Sequence, residues 1–306
     1  MPYREIVDGV FLIDTLAAGT PGLVASYLIK GERSALVDAG YPSSANTVLS
    51  ELQTLDHGRW QVDFLIPTHV HLDHAGALGH LSKEIPTARV LVSEHGAKHL
   101  IDPSRLVESA TRVFGDKAMA VYGNPVALPR ERVEAVGEEY RLDLGAGKKL
   151  KIFWTPGHAW HHMSVLLENE HLLIAGDAVG LHYPGFDFPI PATPPPGFDE
   201  ERYVKNLADF MNMNLAGLLL PHFGPVRENV GAFLNANIDT IGQWESEAQE
   251  AVRTGKPLDE LFEVFMTDVL ERSGRSRKEI PDHVVRSVKL SAMGCYTYAQ
   301  AKTGKQ

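Results

Sequence analysis

Four times in this chain an apolar run of strand character ends in a small residue or proline, followed at once by a residue able to bind a metal. Val62 to Ile66 leads through Pro67-Thr68 to His69, and Lys149 to Trp154 leads through Thr155-Pro156-Gly157 to His158. Leu172 to Ala175 leads through Gly176 to Asp177, and Leu218 to Leu220 leads through Pro221 to His222. A sheet holds the side chains at its strand ends rigidly, and the loops beyond leave one side open. An open coordination position is what separates catalytic from structural metal sites. The fold is therefore constrained to one in which neighbouring strands deliver these residues.

The first of the four is the densest. His69-Val70-His71-Leu72-Asp73-His74 places three imidazoles and a carboxylate in six residues. Imidazole and carboxylate together suit zinc and other first-row metals. With 14 histidines in 306 residues a single histidine says little. The whole six-residue pattern, however, arises by chance on the order of 10⁻³ times in a sequence of this composition.

Around these points the chain reads as mixed α/β. Residues 9–14, 23–29 and 34–38 are short strands with a turn at Lys30 to Arg33, and Ser43 and Ser44 offer N-caps for a helix through Leu55. The His motif is expected on a loop, with a short helix from Ala75 to Leu81 and a strand at Arg89 to Val92. Residues 94–120 read as helical, broken at Asp102-Pro103-Ser104; strands follow at 140–144, 149–154, 163–167 and 172–175. Residues 181–197 form a proline-rich, aromatic loop, and long loops of this kind are often functional. From Arg227 on, three helices are expected, separated near Gly255-Lys256-Pro257 and Ser273-Gly274. The domain reading is 1–227 for a catalytic domain and 228–306 for a helical extension that caps the site.

Composition excludes several classes. Hydrophobic residues are 44% and charged residues 22%, ordinary for a globular chain and against disorder. A net charge of −10 gives no footprint for nucleic acid or an anionic membrane surface. The start lacks a basic region followed by an apolar one, and no run reaches the length of a membrane span. A soluble, cytoplasmic protein acting on a small molecule is expected, with neither nucleic acid nor membrane as partner and a homodimer left open. The single cysteine, Cys295, lies in a helical stretch and reads as buried and structural.

The set His69-x-His71-x-Asp73-His74, Thr155-Pro156-Gly157-His158, Gly176-Asp177 and Pro221-His222 resembles the metallo-β-lactamase-fold hydrolases over residues 1 to 227. The resemblance implies an αββα four-layer sandwich, here with a C-terminal helical extension, and two divalent metals about 3.5 Å apart. It also implies the ligands: His69, His71 and His158 for the first metal, Asp73, His74 and His222 for the second, and Asp177 bridging. Zinc is the first choice, with iron or manganese as alternatives.

Gly176-Asp177-Ala178 supplies the bridging carboxylate that β-lactamase branches lack. The chain is more similar to the glyoxalase II, acyl-homoserine lactonase and quinolone-signal response thioesterase group. That group often reads T-P-G-H-x-x-G-H; here the stretch is Thr155 to His162, with His162 kept and His161 where glycine is usual. Arg275-Ser276-Arg277-Lys278 reads as a solvated, N-capping charge run rather than a glutathione site.

The function implied is hydrolysis of an ester, thioester or lactone. Two metals sharing a water lower its pKa and provide hydroxide at neutral pH. Asp73 is the candidate to orient it and pass a proton, His162 a candidate orienter or oxyanion donor, and Tyr183 a candidate substrate contact. Phe186, Phe188 and Phe198 suggest an apolar wall. The alternatives are a mononuclear iron sulfur dioxygenase of the same fold, or a regulatory member with little turnover.

Overall fold

The computed structural model describes residues 3–55 and 62–304. Met1 and Pro2, which open the stretch read above for targeting character, lie outside the described residues. The chain forms two compact units. The first comprises Met1–Trp154, His161–Gly176 and Ala216–Val226; the second comprises Thr155–Trp160, Asp177–Leu215 and Arg227–Gln306.

The first unit holds two sheets. One is built from β1 (Tyr3–Val7), β2 (Val10–Asp14), β3 (Ala25–Lys30), β4 (Ser34–Val37), β5 (Phe64–Ile66), β6 (Arg89–Ser93) and β7 (Val133–Val136), side by side in chain order. Pairing is antiparallel from β1 to β4 and parallel from β4 to β7. Parallel neighbours need a crossover. The crossovers carry α1 (Ala45–Leu55), α2 (Leu72–Ala75), α3 (Leu78–Glu84), α4 (Ala97–Ile101) and α5 (Ser104–Tyr122). The other sheet contains β8 (Glu139–Asp143), β9 (Lys149–Trp154), β10 (Met163–Leu167), β11 (Leu172–Ile174), β12 (Gly217–Leu220) and β13 (Gly224–Val226), in the order β13-β12-β11-β10-β9-β8.

Strand alternation sorts the apolar residues into two cores. Val10, Leu12, Tyr27, Ile29, Ala35, Val37, Phe64 and Ile66 point at Leu150, Ile152, Val165, Leu172 and Leu219 of the facing sheet. Their neighbours Ile13, Leu28, Leu36 and Leu65 point the other way, onto Val48, Leu49 and Leu52 of α1 and Leu78 and Leu81 of α3. Each fully buried Leu, Ile or Val contributes roughly 1.5–3 kcal/mol. β3, β4 and β5 are thus buried on both faces and stay rigid to their ends, where the His motif begins.

The second unit is helical: α6 (Glu200–Met211), α7 (Val230–Thr254), α8 (Leu258–Ser273) and α9 (Asp282–Thr303). The Asp199 carboxylate caps α6 by accepting from Arg202 N at 3.2 Å. Gly255 and Gly274, at φ 71° and 64°, end α7 and α8 in the left-handed conformation that glycine adopts without a Cβ penalty. Trp244 of α7 stacks on Phe265 of α8 at 4.2 Å, and its indole N–H donates to Asp268. No described helix is long and apolar enough to cross a membrane.

Mixed α/β architecture with two sheets, flanking helices and a C-terminal helical extension is the fold class the sequence indicates. Local differences have physical causes. Ser44 does not cap α1: a 3-10 turn with Pro42 at its first position enters the helix, and the buried Ser44 hydroxyl has no hydrogen-bond partner. Proline at the first helical position presets φ, so a side-chain cap is not needed there. The His motif is not wholly loop, because Leu72–Ala75 winds one turn that carries Asp73 and His74. Strands β1, β7 and β13 and helix α6 carry no motif in the sequence and were not anticipated.

Candidate metal centre

In the first unit the ends of β4, β5 and β12 meet. β5 delivers Thr68 and His69, the helical turn after it delivers Asp73 and His74, and β12 delivers His222. His69 and His74 are fully buried, and His71 and Asp73 are half-buried. His69 Nε2 lies 2.9 Å from His71 Nδ1. The His69 and His74 rings are 4.0 Å apart, and the His74 and His222 rings 5.3 Å. Asp73 Oδ2 stands 3.4 Å from His222 Nε2 and 3.7 Å from His74 Nε2. The ligand atoms of Asp73, His74 and His222 lie within 4.8 Å of one another, spacing that suits a shared metal ion.

The far nitrogens of these rings are held by acceptors. His74 Nδ1 is 2.9 Å from Asp38 Oδ2, and His222 Nδ1 is 2.8 Å from the carbonyl of Leu23. An N–H donated from Nδ1 leaves the lone pair on Nε2, the atom turned toward Asp73. Metal-ligating histidines almost always show this arrangement. Asp38 is itself fixed, accepting from Thr68 N at 2.7 Å and from Thr68 Oγ1 at 3.0 Å. It is 1% exposed and sits at φ 58°.

His162, also fully buried, packs 5.0 Å from the His69 ring. Gly176 makes room for it. A Cβ at position 176 would lie 2.3 Å from His162 Nε2, and φ there is +57°. His161 is half-buried, with its ring 5.4 Å from that of His71.

In the second unit, His158 and Asp177 come together. His158 Nε2 is 3.6 Å from Asp177 Oδ2, and His158 Nδ1 donates to Ala192 O at 2.8 Å, repeating the pattern of His74 and His222. Gly157 has φ +139°, and any Cβ there would meet Tyr203 N at 2.5 Å, so the residue before His158 has to be glycine. Tyr183 is 3% exposed, its hydroxyl 2.8 Å from Ser287 Oγ and its ring 4.8 Å from His283. Phe186 and Phe198 are buried and Phe188 half-buried. Cys295 is buried as expected, and burial, followed by the nearby Glu245, raises its thiol pKa.

Arg275 and Arg277 do more than face solvent. Arg275 lies 4.7 Å over the Phe186 ring and donates to Gly185 O, and Arg277 lies 5.1 Å over Phe262. Ser276 and Glu279 form a capping box.

Sequence reasoning missed Asp38. Its signal was present, since Ser34 to Val37 followed by Asp38 has the same strand-then-ligand form as the other four segments. It also missed Gly176 as the residue that admits His162.

Two sheets with imidazoles and carboxylates gathered at their strand ends define a metal-binding α/β protein. Residues 19–222 match the metallo-beta-lactamase superfamily, and the chain belongs to that family. It is similar to a metallo-beta-lactamase fold-containing protein of Sulfurisphaera tokodaii, 33% identical over 191 residues, 61% of this chain and 67% of that one. It is also similar to a probable metallo-hydrolase of Methanocaldococcus jannaschii, 30% identical over 156 residues, 50% of this chain and 66% of that one. The chain thus spans about two thirds of the length of these curated relatives. In fold it resembles the crystal structure of an archaeal metallo-beta-lactamase superfamily protein from Sulfolobus tokodaii, with TM-score 0.67 and 24% identity over 94% of this chain and 98% of that one.

Proposed function

We propose that the protein is a metal-dependent hydrolase that cleaves a carbonyl ester, thioester or lactone in a small, partly apolar substrate. In this reading His69, His71 and His158 hold one divalent ion, Asp73, His74 and His222 hold another, and Asp177 serves both. The supporting observation is shared by three histidines. The Nδ1 atoms of His74, His158 and His222 are each held by a carboxylate or carbonyl oxygen at 2.8–2.9 Å, an arrangement that leaves the lone pair on Nε2 and so supports a ligand role for each. Hydrolase relatives and the donor chemistry agree with that role; zinc is the first candidate, with iron or manganese as alternatives.

When bound, such ions supply Lewis acidity and lower the pKa of water at the site toward neutrality. The chain's own residues do the rest. Asp73, half-buried and turned toward His222 and His74, is placed to take a proton from the nucleophile and deliver it to the leaving group. His162, locked between His69 and the backbone at Gly176, is assigned to orienting the ligand set or donating to the oxyanion. Tyr183, steadied by Ser287, is assigned to the substrate side of the 181–197 loop, with Phe186, Phe188 and Phe198 as apolar lining. The glyoxalase II, lactonase and thioesterase branch is the group whose substrates fit this description.

The test is metal analysis by mass spectrometry, followed by a panel of esters, thioesters and lactones on metal-replete protein. Two ions per chain and turnover that falls at least about a hundredfold in Asp73→Asn support the reading. One iron per chain with thiol-dependent oxygen uptake, or no turnover across the panel at full loading, overturns it.

A further inference from the structure

His158 Nδ1 donates to the carbonyl of Ala192, and the second unit holds that carbonyl through both neighbouring peptide groups. Two peptide planes meet at Ala192. In the first, the Pro191 carbonyl accepts from Ser291 Oγ at 2.6 Å, and Ala192 N donates to the Tyr203 hydroxyl at 3.4 Å. In the second, Thr193 N donates to Ser291 Oγ at 3.4 Å, and the Ala192 carbonyl accepts from His158 at 2.8 Å. The one hydroxyl of Ser291 therefore donates to one plane and accepts from the other. A trans peptide unit is planar, with its N–H and C=O pointing in opposite directions. Fixing Thr193 N toward α9 thus aims the Ala192 carbonyl away from α9, at His158.

The segment has little freedom to adjust. His158, Ala192, Thr193, Tyr203 and Ser291 are all 4% exposed or less, so bulk water does not replace a lost partner. Thr193 Oγ1 donates to Ser291 O at 3.1 Å, and Gly294 has no Cβ to keep the Thr193 carbonyl off the helix. Tyr203 acts at two points. Its backbone closes on Gly157, where a Cβ would meet Tyr203 N at 2.5 Å, and its hydroxyl accepts from Ala192 N and from Asn237 Nδ2 at 3.2 Å. A single residue of α6 thereby spaces the glycine before His158 from the residue that accepts the His158 proton.

We propose that Ser291 and Tyr203 are positioning residues for metal binding: through the peptide planes around Ala192 they hold the His158 ring with Nε2 turned to Asp177, 3.6 Å away. The proposal rests on the ligand assignment above and deepens it, since the last helix then contributes to ion affinity without supplying a ligand.

Ser291→Ala and Tyr203→Phe each delete one oxygen and test the two planes separately. Val269→Ala, at a buried position of α8, is the control for general loosening. In metal-free protein carrying isotope-labelled histidine, nuclear magnetic resonance of wild type is expected to show His158 as the Nδ1–H tautomer with a slowly exchanging ring proton. Exchange is expected to quicken about tenfold in Ser291→Ala and in Tyr203→Phe, the scale of one hydrogen bond. Zinc affinity, read by competition with a chromogenic chelator, is expected to fall about three- to tenfold in both, less than for loss of a ligand's direct partner. Val269→Ala is expected to match wild type in both measurements.

Neither readout needs turnover, so failure to cleave any ester sinks the hydrolase reading alone. Faster exchange with unchanged zinc affinity, or equal losses in Val269→Ala, overturns the positioning role while the ligand assignment stands. Unchanged exchange in both hydroxyl deletions overturns it as well. Absence of any divalent ion on wild type brings down the ligand assignment and the positioning role together.

Discussion

His74 Nδ1 and Asp38 Oδ2 are 2.9 Å apart in the interior of the first unit, and the same carboxylate receives both the N–H and the hydroxyl of Thr68. One acid at the end of β4 thereby fixes the backbone after β5 and the ring that leads into the metal set. Asp38→Asn keeps the shape and removes the charge. It is expected to weaken metal binding by about 10- to 100-fold, measured by competition with a chromogenic chelator. Unchanged affinity would show that the pair is structural only.

His222 is carried by the end of β12 and held by the Leu23 carbonyl. Replacing it with alanine removes one ligand of the Asp73, His74 and His222 group and spares the His69 and His71 pair. Metal content is expected to fall from about two ions per chain to about one, with the fold retained by circular dichroism.

Glu245 of α7 is 1% exposed, with the Cys295 thiol and the Gln249 side chain as its polar neighbours. Burial is the main cause of its pKa rising from 4.5 to about 7; Glu200 adds to the rise, while Cys295, Lys302 and Gln249 offset part of it. The folded state keeps the proton where the unfolded chain has lost it. Stability is therefore greatest below the unfolded value and declines as pH rises from 4.5 through about 7. The loss approaches about 3 kcal/mol. Glu245→Gln should unfold at higher denaturant than wild type near pH 8 and at a similar concentration near pH 5. Parallel pH profiles for the two proteins would refute the buried-carboxyl account.

Gly294 of α9 and Gly242 of α7 make a matched pair. A Cβ at 294 would fall 1.6 Å from the Thr193 carbonyl oxygen, whereas one at 242 meets nothing within 4 Å. Gly294→Ala is expected to destabilise by about 2 kcal/mol through overpacking. Gly242→Ala is expected to stabilise by about 0.5–1 kcal/mol through helix propensity. Denaturant melts of both variants check the contrast.

Most of the strands were legible because each lies in a short local pattern, and the proposed ligand set was read from the same pattern, an apolar run followed by a small residue and then a donor. What escaped depends on partners distant in sequence. The acceptors for His158 and His222 are the backbone carbonyls of Ala192 and Leu23, and no side-chain identity announces a carbonyl. Gly176 looked like part of a motif, yet its role is the space it leaves for His162. Ser44 looked like a cap because the residue type favours caps, but Pro42 had already set the entry to the helix. His161 could be singled out as a departure from a family pattern; its neighbours appeared only once Val70 and His99 were placed beside it.

The last helix grips the aromatic loop at successive turns. Ser287 meets Tyr183, Ser291 bonds to Pro191 and Thr193, Gly294 admits the Thr193 carbonyl, and Cys295 lies 3.4 Å from the Thr193 hydroxyl. The contour of segment 181–197 is thus templated from about a hundred residues downstream. Substitutions along one stripe of α9 can recast that contour while every residue of the loop stays the same, so the loop's own sequence does not fix its shape.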